Sequence, residues 1–432
     1  MKKINVYGLA MLAASLFASA ACAKGTFNVA VDHADAVYSC GERAVFTVKA
    51  VGEGGAPITN GFVTAALDNF GSRKIVERRI DLSKENPFRL EGTLDKPGFL
   101  RARLSGAGCE GRVFGVGFSP EGIRPGAPNP PDFDAFWADA VKRLDETVPV
   151  DARLELVPEK SKGACNYYRV SFATYGGRRV YGWLSEPKDL TRKWPVRLSV
   201  PGAGIGATGT GSGAGAIFLT MNVHSYQQPE TTQEELKARY DAQDAQYAKP
   251  NGVARYCQAG IHKSREDYFY YASILGINRA VNWLAARPEC DLSDFSYSGT
   301  SQGGGFGLYL CGLNKHITKA CIFVPAITDL LGDVVDGRQS GWPRIIEAQK
   351  EENRAAAAKN APYFDAANFA RRITIPVRVV VGFADVTCAP CAVYAGYNVI
   401  PSKDKKILHG IGMGHGVNRE FYQKLAAWQN AK

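Results

Sequence analysis

The chain has no block of Lys or Arg, although basic residues outnumber acidic ones by 52 to 42. Scattered in this way they read as a solvated surface, and no nucleic-acid partner is expected. Histidine is scarce, with six in 432 residues. The one Cys-x-x-Cys spacing, Cys388-Ala389-Pro390-Cys391, lacks the second Cys or His pair that would complete a zinc site. It reads as a structural loop, and no metal or other cofactor is expected. The apolar run from Gly8 to Ala18 is too short and wrongly flanked for a membrane span. Preceded by Lys2 and Lys3 and followed by Ala21-Cys22-Ala23, it reads as a signal peptide over residues 1–23, and the product as secreted or periplasmic. A lipoprotein anchor at Cys22 is disfavoured, because Ser19 stands where a branched apolar residue is expected. Cleavage removes two lysines and no acid, taking the formal net charge from +10 to about +8.

What remains is ordinary globular material. With 45% hydrophobic and 22% charged residues the chain can bury a large core, and its length suits two or more domains. Export permits disulfides, and loss of Cys22 leaves an odd number of cysteines. Cys40 and Cys109 stand near the start and end of the first mature segment and are expected to pair. Cys311 and Cys321 fall in apolar runs and read as buried thiols.

Residues 24–118 show short alternating runs between Gly, Asn and Pro turns, which predicts a small all-β, immunoglobulin-like sandwich. They carry no cluster of catalytic residue types. Spacing, packing or oligomer contacts are the plain reading, with carbohydrate binding as the alternative. A proline-rich linker over 119–131 leads to a helix with Asp132 as N-cap and Phe133, Trp137, Ala140 and Leu144 on one apolar face. From there to residue 432, helix-like and strand-like runs alternate as in a doubly wound, mostly parallel α/β sheet. A long helix is expected from about Glu266 to Ala286, and residues 340–372 are expected to be helical and able to cap the site.

The chemistry centres on Ser298-Gly299-Thr300-Ser301-Gln302-Gly303. A Gly-x-Ser-x-Gly between a strand-like and a helix-like run reads as a nucleophile elbow, in which small neighbours let the serine turn out above the sheet. The buried-type strand from Pro376 to Gly382 ends in Phe383-Ala384-Asp385, an aspartate on the edge where ligands bind. His415 follows the last strand in a glycine-rich loop, with His409 at the strand's end as competitor. The order Ser301, Asp385, His415 is that of α/β-hydrolases. Gly204-x-Gly206-x-x-Gly209 matches a dinucleotide fingerprint, but the following strand ends without the acidic residue a ribose needs. The glycine loop is better read as an oxyanion hole, with backbone N–H groups of Ala203 and Gln302 as donors. Tyr226, Gln227 and Gln228 are candidate pocket residues.

From about Phe133 to the C-terminus the chain resembles the acetyl xylan esterase and cephalosporin C deacetylase family of carbohydrate esterases. The resemblance rests on Asp132-Phe133-Asp134-Ala135-Phe136-Trp137, Arg279-Ala280-Val281-Asn282-Trp283-Leu284 with Arg287-Pro288, and Gly299-Thr300-Ser301-Gln302-Gly303-Gly304. It continues through Tyr363-Phe364-Asp365, Asn368-Phe369-Ala370, Asp385 with Cys388 and Pro390, Tyr397-Asn398 and Gly414-His415. It implies an α/β-hydrolase fold and a serine esterase acting on acetylated carbohydrate of the xylan type, with Ser301, Asp385 and His415 as triad. Two segments depart from the family: Pro201-Gly202-Ala203 stands where His-Gly-Tyr is usual, and Asn222-Val223-His224-Ser225 replaces an Asp-x-Arg-Gly type. Substrate identity and homo-oligomer formation stay open. The alternatives are another acyl hydrolase or peptidase of the same fold, and a non-catalytic glycan-binding protein.

Overall fold

The structure, a computed structural model, describes residues 25–228 and 232–431, so the expected leader lies outside it. Eight strands come first: β1 (Thr26–Val31), β2 (Val37–Tyr38), β3 (Ala44–Val51), β4 (Phe62–Asp68), β5 (Lys74–Asp81), β6 (Phe88–Gly92), β7 (Gly98–Gly106) and β8 (Cys109–Phe118). They form a three-stranded sheet β1-β3-β6 and a five-stranded sheet β2-β8-β7-β4-β5. Alternation puts one face of each sheet inward, where Phe46 and Phe114 meet edge to face.

The expected Cys40–Cys109 disulfide is absent, and both cysteines are free thiols. β2 pairs with Gly117 and Phe118, and Cys40 donates its N–H to the Ser119 hydroxyl, so Cys40 sits beyond the far end of β8. Cys109 begins that ten-residue strand. The two are therefore about 30 Å apart, well beyond what a disulfide can span. Cys388 and Cys391 are likewise free and buried, as are Cys311 and Cys321.

The proline-rich segment after β8 is strapped down. Proline lacks an N–H but keeps its carbonyl, and those acceptors are taken: Asn398 donates to Pro120 and Ile123, Asn368 to Pro128, and Arg338 to Arg124. The chain then runs through α1 (Phe133–Thr147), β9 (Arg153–Leu156), β10 (Cys165–Ala173), β11 (Arg179–Pro187), β12 (Trp194–Val200), β13 (Ile217–Asn222), α2 (Gln233–Gln243), α3 (Phe269–Ala285), β14 (Cys290–Thr300), α4 (Gln302–Leu313) and β15 (Lys319–Phe323). It closes with α5 (Glu351–Asn360), α6 (Ala366–Ala370), β16 (Val377–Gly382), α7 (Pro390–Asn398), β17 (Lys405–Gly410) and α8 (Arg419–Asn430). The nine strands lie in the order β17-β16-β15-β14-β12-β13-β11-β10-β9, parallel from β17 to β13 and antiparallel beyond. This is the α/β-hydrolase fold with a β-rich region in front.

Two helix expectations shift. α3 begins at Phe269, because the Phe269 N–H is claimed by Ala259 and the preceding residues turn about Gly260, packed against the Asp267 carbonyl. Its apolar residues are buried nearly all round rather than along one face. Residues 340–350 are turns rather than helix, and α6 packs against α4, where Phe369 meets Tyr309 with ring centroids 4.6 Å apart. The helical expectation holds over Glu351–Asn360 and Ala366–Ala370, but α6 lies against α4 rather than over Ser301. One contiguous buried cluster runs through both parts of the chain, including Phe70, Phe99, Phe383 and Tyr394.

Candidate active site

Ser301 sits between β14 and α4 with φ 57° and ψ −119°, a conformation costly for any residue with a Cβ. The corner closes only because its neighbours are small: a Cβ on Gly303 would lie 1.9 Å from the Val200 carbonyl oxygen, and one on Gly299 2.5 Å from that of Gly303. The Ser301 N–H donates to the Phe323 carbonyl, and the Ser301 carbonyl accepts from Gly305 and Ala326, so the strained residue is held from both sides.

Asp385 lies three residues past β16 and His415 five past β17, at the carboxyl edge of the sheet. His415 Nε2 is 3.0 Å from Ser301 Oγ and its Nδ1 is 2.8 Å from Asp385 Oδ2. Asp385 is fully buried, and its Oδ1 accepts from the N–H groups of Thr387 and Cys388. A carboxylate so bonded keeps its orientation, holding the Nδ1–H tautomer and leaving Nε2 as acceptor for the serine proton. The imidazole is one-third exposed. His409 is elsewhere: its Nε2 lies 2.6 Å from the Tyr394 hydroxyl and its ring packs on Phe383.

The Gln302 N–H is the first of α4, and helix geometry leaves it without an intrahelical partner while the helix dipole favours negative charge there. Gly202 brings the glycine loop to the serine: a Cβ on it would lie 3.9 Å from Ser301 Cβ. Ala203 follows directly. Neither the Ala203 nor the Gln302 N–H donates to another group among the described residues. Two donors of this kind can face one oxyanion. The Gln302 side chain is buried, and its Oε1 accepts from the hydroxyls of Tyr256 (2.9 Å) and Tyr270 (2.6 Å). Neither tyrosine stood out in the sequence, because each reaches Gln302 only through the tertiary fold.

Tyr226 and Gln227 follow β13, and neither hydrogen-bonds to Ser301, Asp385 or His415. Tyr226 stacks on His224 with centroids 5.1 Å apart, and the Tyr226 hydroxyl and Gln227 Nε2 are buried without partners among the described residues. Gln228 is fully buried and accepts from Asn222 Nδ2, whose Oδ1 in turn takes the Ala207 N–H. His224 Nδ1 accepts from Gln243 Nε2, and burial pushes its pKa down to about 4. A neutral imidazole therefore supports the loop.

Cys388 is buried beside the Ser301 side chain, and burial, reinforced by the Asp385 charge, keeps it a neutral thiol. Asp385, Cys388 and His415 each offer one donor atom, all within 4.8 Å of one another. That set suits a soft divalent cation, but both His415 ring nitrogens and Asp385 Oδ2 are engaged in the hydrogen-bonded chain to Ser301.

The acetyl xylan esterase family profile matches residues 121–431. The chain belongs to this family. It is 33% identical over 325 residues to an acetyl esterase, Axe7A, of Xylanibacter ruminicola, an alignment covering 73% of this chain and 71% of that protein. Among solved structures it resembles the acetyl xylan esterase from Paenibacillus sp. R4 (22% identity, TM-score 0.58, covering 72% of this chain and 97% of that one). The acetyl xylan esterase 1 from a Thermoanaerobacterium species is similar at 20% identity and TM-score 0.57, covering 72% and 96%. As a member of the acetyl xylan esterase family the chain is a carboxylic ester hydrolase, and the family supports hydrolysis of carbohydrate acetyl esters. No helix among the described residues is long and apolar enough to cross a membrane.

Proposed function

We propose that the protein is an exported serine esterase that removes acetyl groups from the hydroxyls of xylan-type sugars. The reading is carried by the hydrogen-bonded chain Ser301–His415–Asp385 on a strained elbow. Ser301 Oγ attacks the acetyl carbonyl while its proton passes to His415 Nε2, and Asp385 stabilises the imidazolium. The tetrahedral oxyanion takes the N–H groups of Gln302 and Ala203. As the C–O bond to the sugar breaks, His415 returns the proton to the leaving oxygen, leaving acetyl-Ser301. Water, deprotonated by His415, then attacks the acetyl-enzyme, releasing acetate and restoring Ser301. Every step uses groups of this chain. The Tyr226 hydroxyl and Gln227 Nε2 are buried, so neither is assigned a direct sugar contact.

The test is acetate release from a panel of acetylated xylo-oligosaccharides, longer acyl esters and peptide amides, with wild type and Ser301→Ala. Release confined to sugar acetates and abolished by Ser301→Ala is expected. Preference for peptides or long acyl chains would shift the reading to another acyl hydrolase. Unreactive Ser301 towards a fluorophosphonate probe would leave a glycan-binding scaffold.

A further inference from the structure

The family match begins at residue 121, yet the β region before it reaches the edge of the candidate site. The turn Phe383–Val386, which carries Asp385, is tied to the loop carrying His415: Phe383 N–H donates to Gly410 and Ala384 N–H to Met413. Both loops rest on β7 and β8. A Cβ on Gly115 would lie 1.9 Å from the Phe383 carbonyl oxygen, so strand and turn are in backbone contact. The Phe99 ring meets Phe383 edge to face at 5.0 Å and Tyr394 at 5.6 Å. Phe114 covers Gly412, where a Cβ would lie 3.2 Å from its ring.

A second tie reaches the other flank of the turn. The Phe70 carbonyl accepts the Gln339 N–H at 2.9 Å, and Gln339 Nε2 donates to the Val386 carbonyl at 2.9 Å, alongside Arg344 Nη2 at 3.0 Å. The sheet end that makes these contacts is itself stiffened. Buried Asp68 accepts from both Arg101 and Arg103, and the Arg101 guanidinium lies over the Phe70 ring.

The geometry points to a role for the β region as the outer wall of the active site, holding the Asp385 turn and the His415 loop in register. Gly115 and Phe99 are its positioning residues, and Gln339, on the hydrolase side, relays the contact from Phe70 to Val386. The inference rests on the triad reading above. Proton transfer through His415 tolerates little displacement of Asp385, since a misplacement of about 1 Å costs on the order of a hundredfold in rate.

The experiment uses the full chain and three variants: Gly115→Ala, Phe99→Leu, and Ile80→Ala as control. Ile80 is buried at the opposite end of the same sheet, paired with Val63. Steady-state kinetics on p-nitrophenyl acetate are combined with the downfield proton resonance of the Asp385–His415 hydrogen bond. Gly115→Ala and Phe99→Leu are expected to lower kcat by about ten- to a hundredfold, with KM within about twofold, and to shift or broaden that resonance. Ile80→Ala is expected to lower Tm while keeping kcat and the resonance at 25 °C. Wild-type kcat and resonance in folded Gly115→Ala and Phe99→Leu would overturn the proposal, as would an equal kcat loss in Ile80→Ala. Should Gly115→Ala fail to accumulate, Phe99→Leu decides alone. Ser301→Ala run in parallel separates the two ideas: activity retained there sinks the triad reading, whereas an inactive Ser301→Ala with unaffected wall variants sinks only this one.

Discussion

The Tyr270 hydroxyl, on α3, donates to Oε1 of Gln302 at 2.6 Å and so anchors the residue whose main-chain N–H opens α4. Tyr256 donates to the same oxygen from a separate segment, at 2.9 Å. Either tyrosine alone keeps the amide oxygen bonded. Tyr270→Phe should therefore cost about 1 kcal/mol in urea unfolding and leave kcat nearly unchanged. The double variant Tyr256→Phe/Tyr270→Phe orphans a buried acceptor, which adds about 1–3 kcal/mol. It is expected to lower kcat about tenfold through the displaced N–H. Additive, activity-neutral behaviour in the double variant would separate Gln302 from the reaction.

Ser301 and Asp385 should differ in the size of their effects. Ser301→Ala removes the proposed nucleophile and is expected to cost about a million-fold in kcat. Asp385→Asn keeps the shape but imposes the wrong His415 tautomer, for a loss of about ten thousand-fold. A loss below about tenfold in Asp385→Asn, measured on p-nitrophenyl acetate, would remove Asp385 from its proposed role.

Acidification should loosen the support under the glycine loop. His224 is held neutral at about 4 by burial, against an ordinary value near 6.5. Between about pH 6.5 and 4 the unfolded chain binds a proton that the folded one refuses. The stability tied to this group is therefore present above that window and lost as pH falls through it, about 3 kcal/mol in full. Asp365, pushed up to about 7 by burial, acts with opposite sign: its folded form keeps a proton that the unfolded chain sheds, so its contribution weakens as pH rises from about 4 to 7. The difference between wild type and His224→Gln isolates the first effect. Urea midpoints measured from pH 7 to 4 should fall less steeply in the variant, and parallel curves would count against it.

Thiol titration should find no disulfide. Seven of the nine described cysteines are buried and Cys40 and Cys109 are partly so. At most two should react promptly in the native state and all nine after denaturation without reductant. A reductant-dependent gain of two thiols would show a disulfide and count against nine free cysteines.

The residues that the sequence made legible are those whose geometry is local. Ser301 takes its place at the corner from a strand, a turn and small neighbours within five residues, and Asp385 and His415 each lie within five residues of a strand end. The fold class followed for the same reason, since alternating helix and strand runs leave few parallel arrangements. The cysteine pairing failed because position in the chain does not say which end of a strand a residue occupies. The helix at Glu266 failed because a carbonyl, that of Ala259, claims the N–H at its observed start. Tyr256, Tyr270 and Gln339 were invisible for a further reason: each acts through long-range hydrogen bonds, which leave no periodic trace.

The glycine-rich crossover from β12 to β13 has no helix of its own. It is pinned at its base by side chains of the sheet and its edge: Trp183 donates to the Ala207 carbonyl, Asn222 takes the Ala207 N–H, and the Thr210 N–H goes to the Tyr167 hydroxyl. Beyond those pins the stretch from Gly211 to Gly215 carries no regular structure. Gly211 is fixed by the Phe218 ring, 2.7 Å from where its Cβ would be, but Gly213 and Gly215 meet nothing within 4 Å, so the length beyond Gly211 can change while Val196–Ile217 and Leu198–Leu219 keep the strand register. The stretch and Ser301 sit towards opposite ends of β12, since the stretch leads into Ile217 opposite Val196 while Ser301 follows the carboxyl end of β14, so inserts between residues 212 and 216 test strand pairing without touching the candidate site.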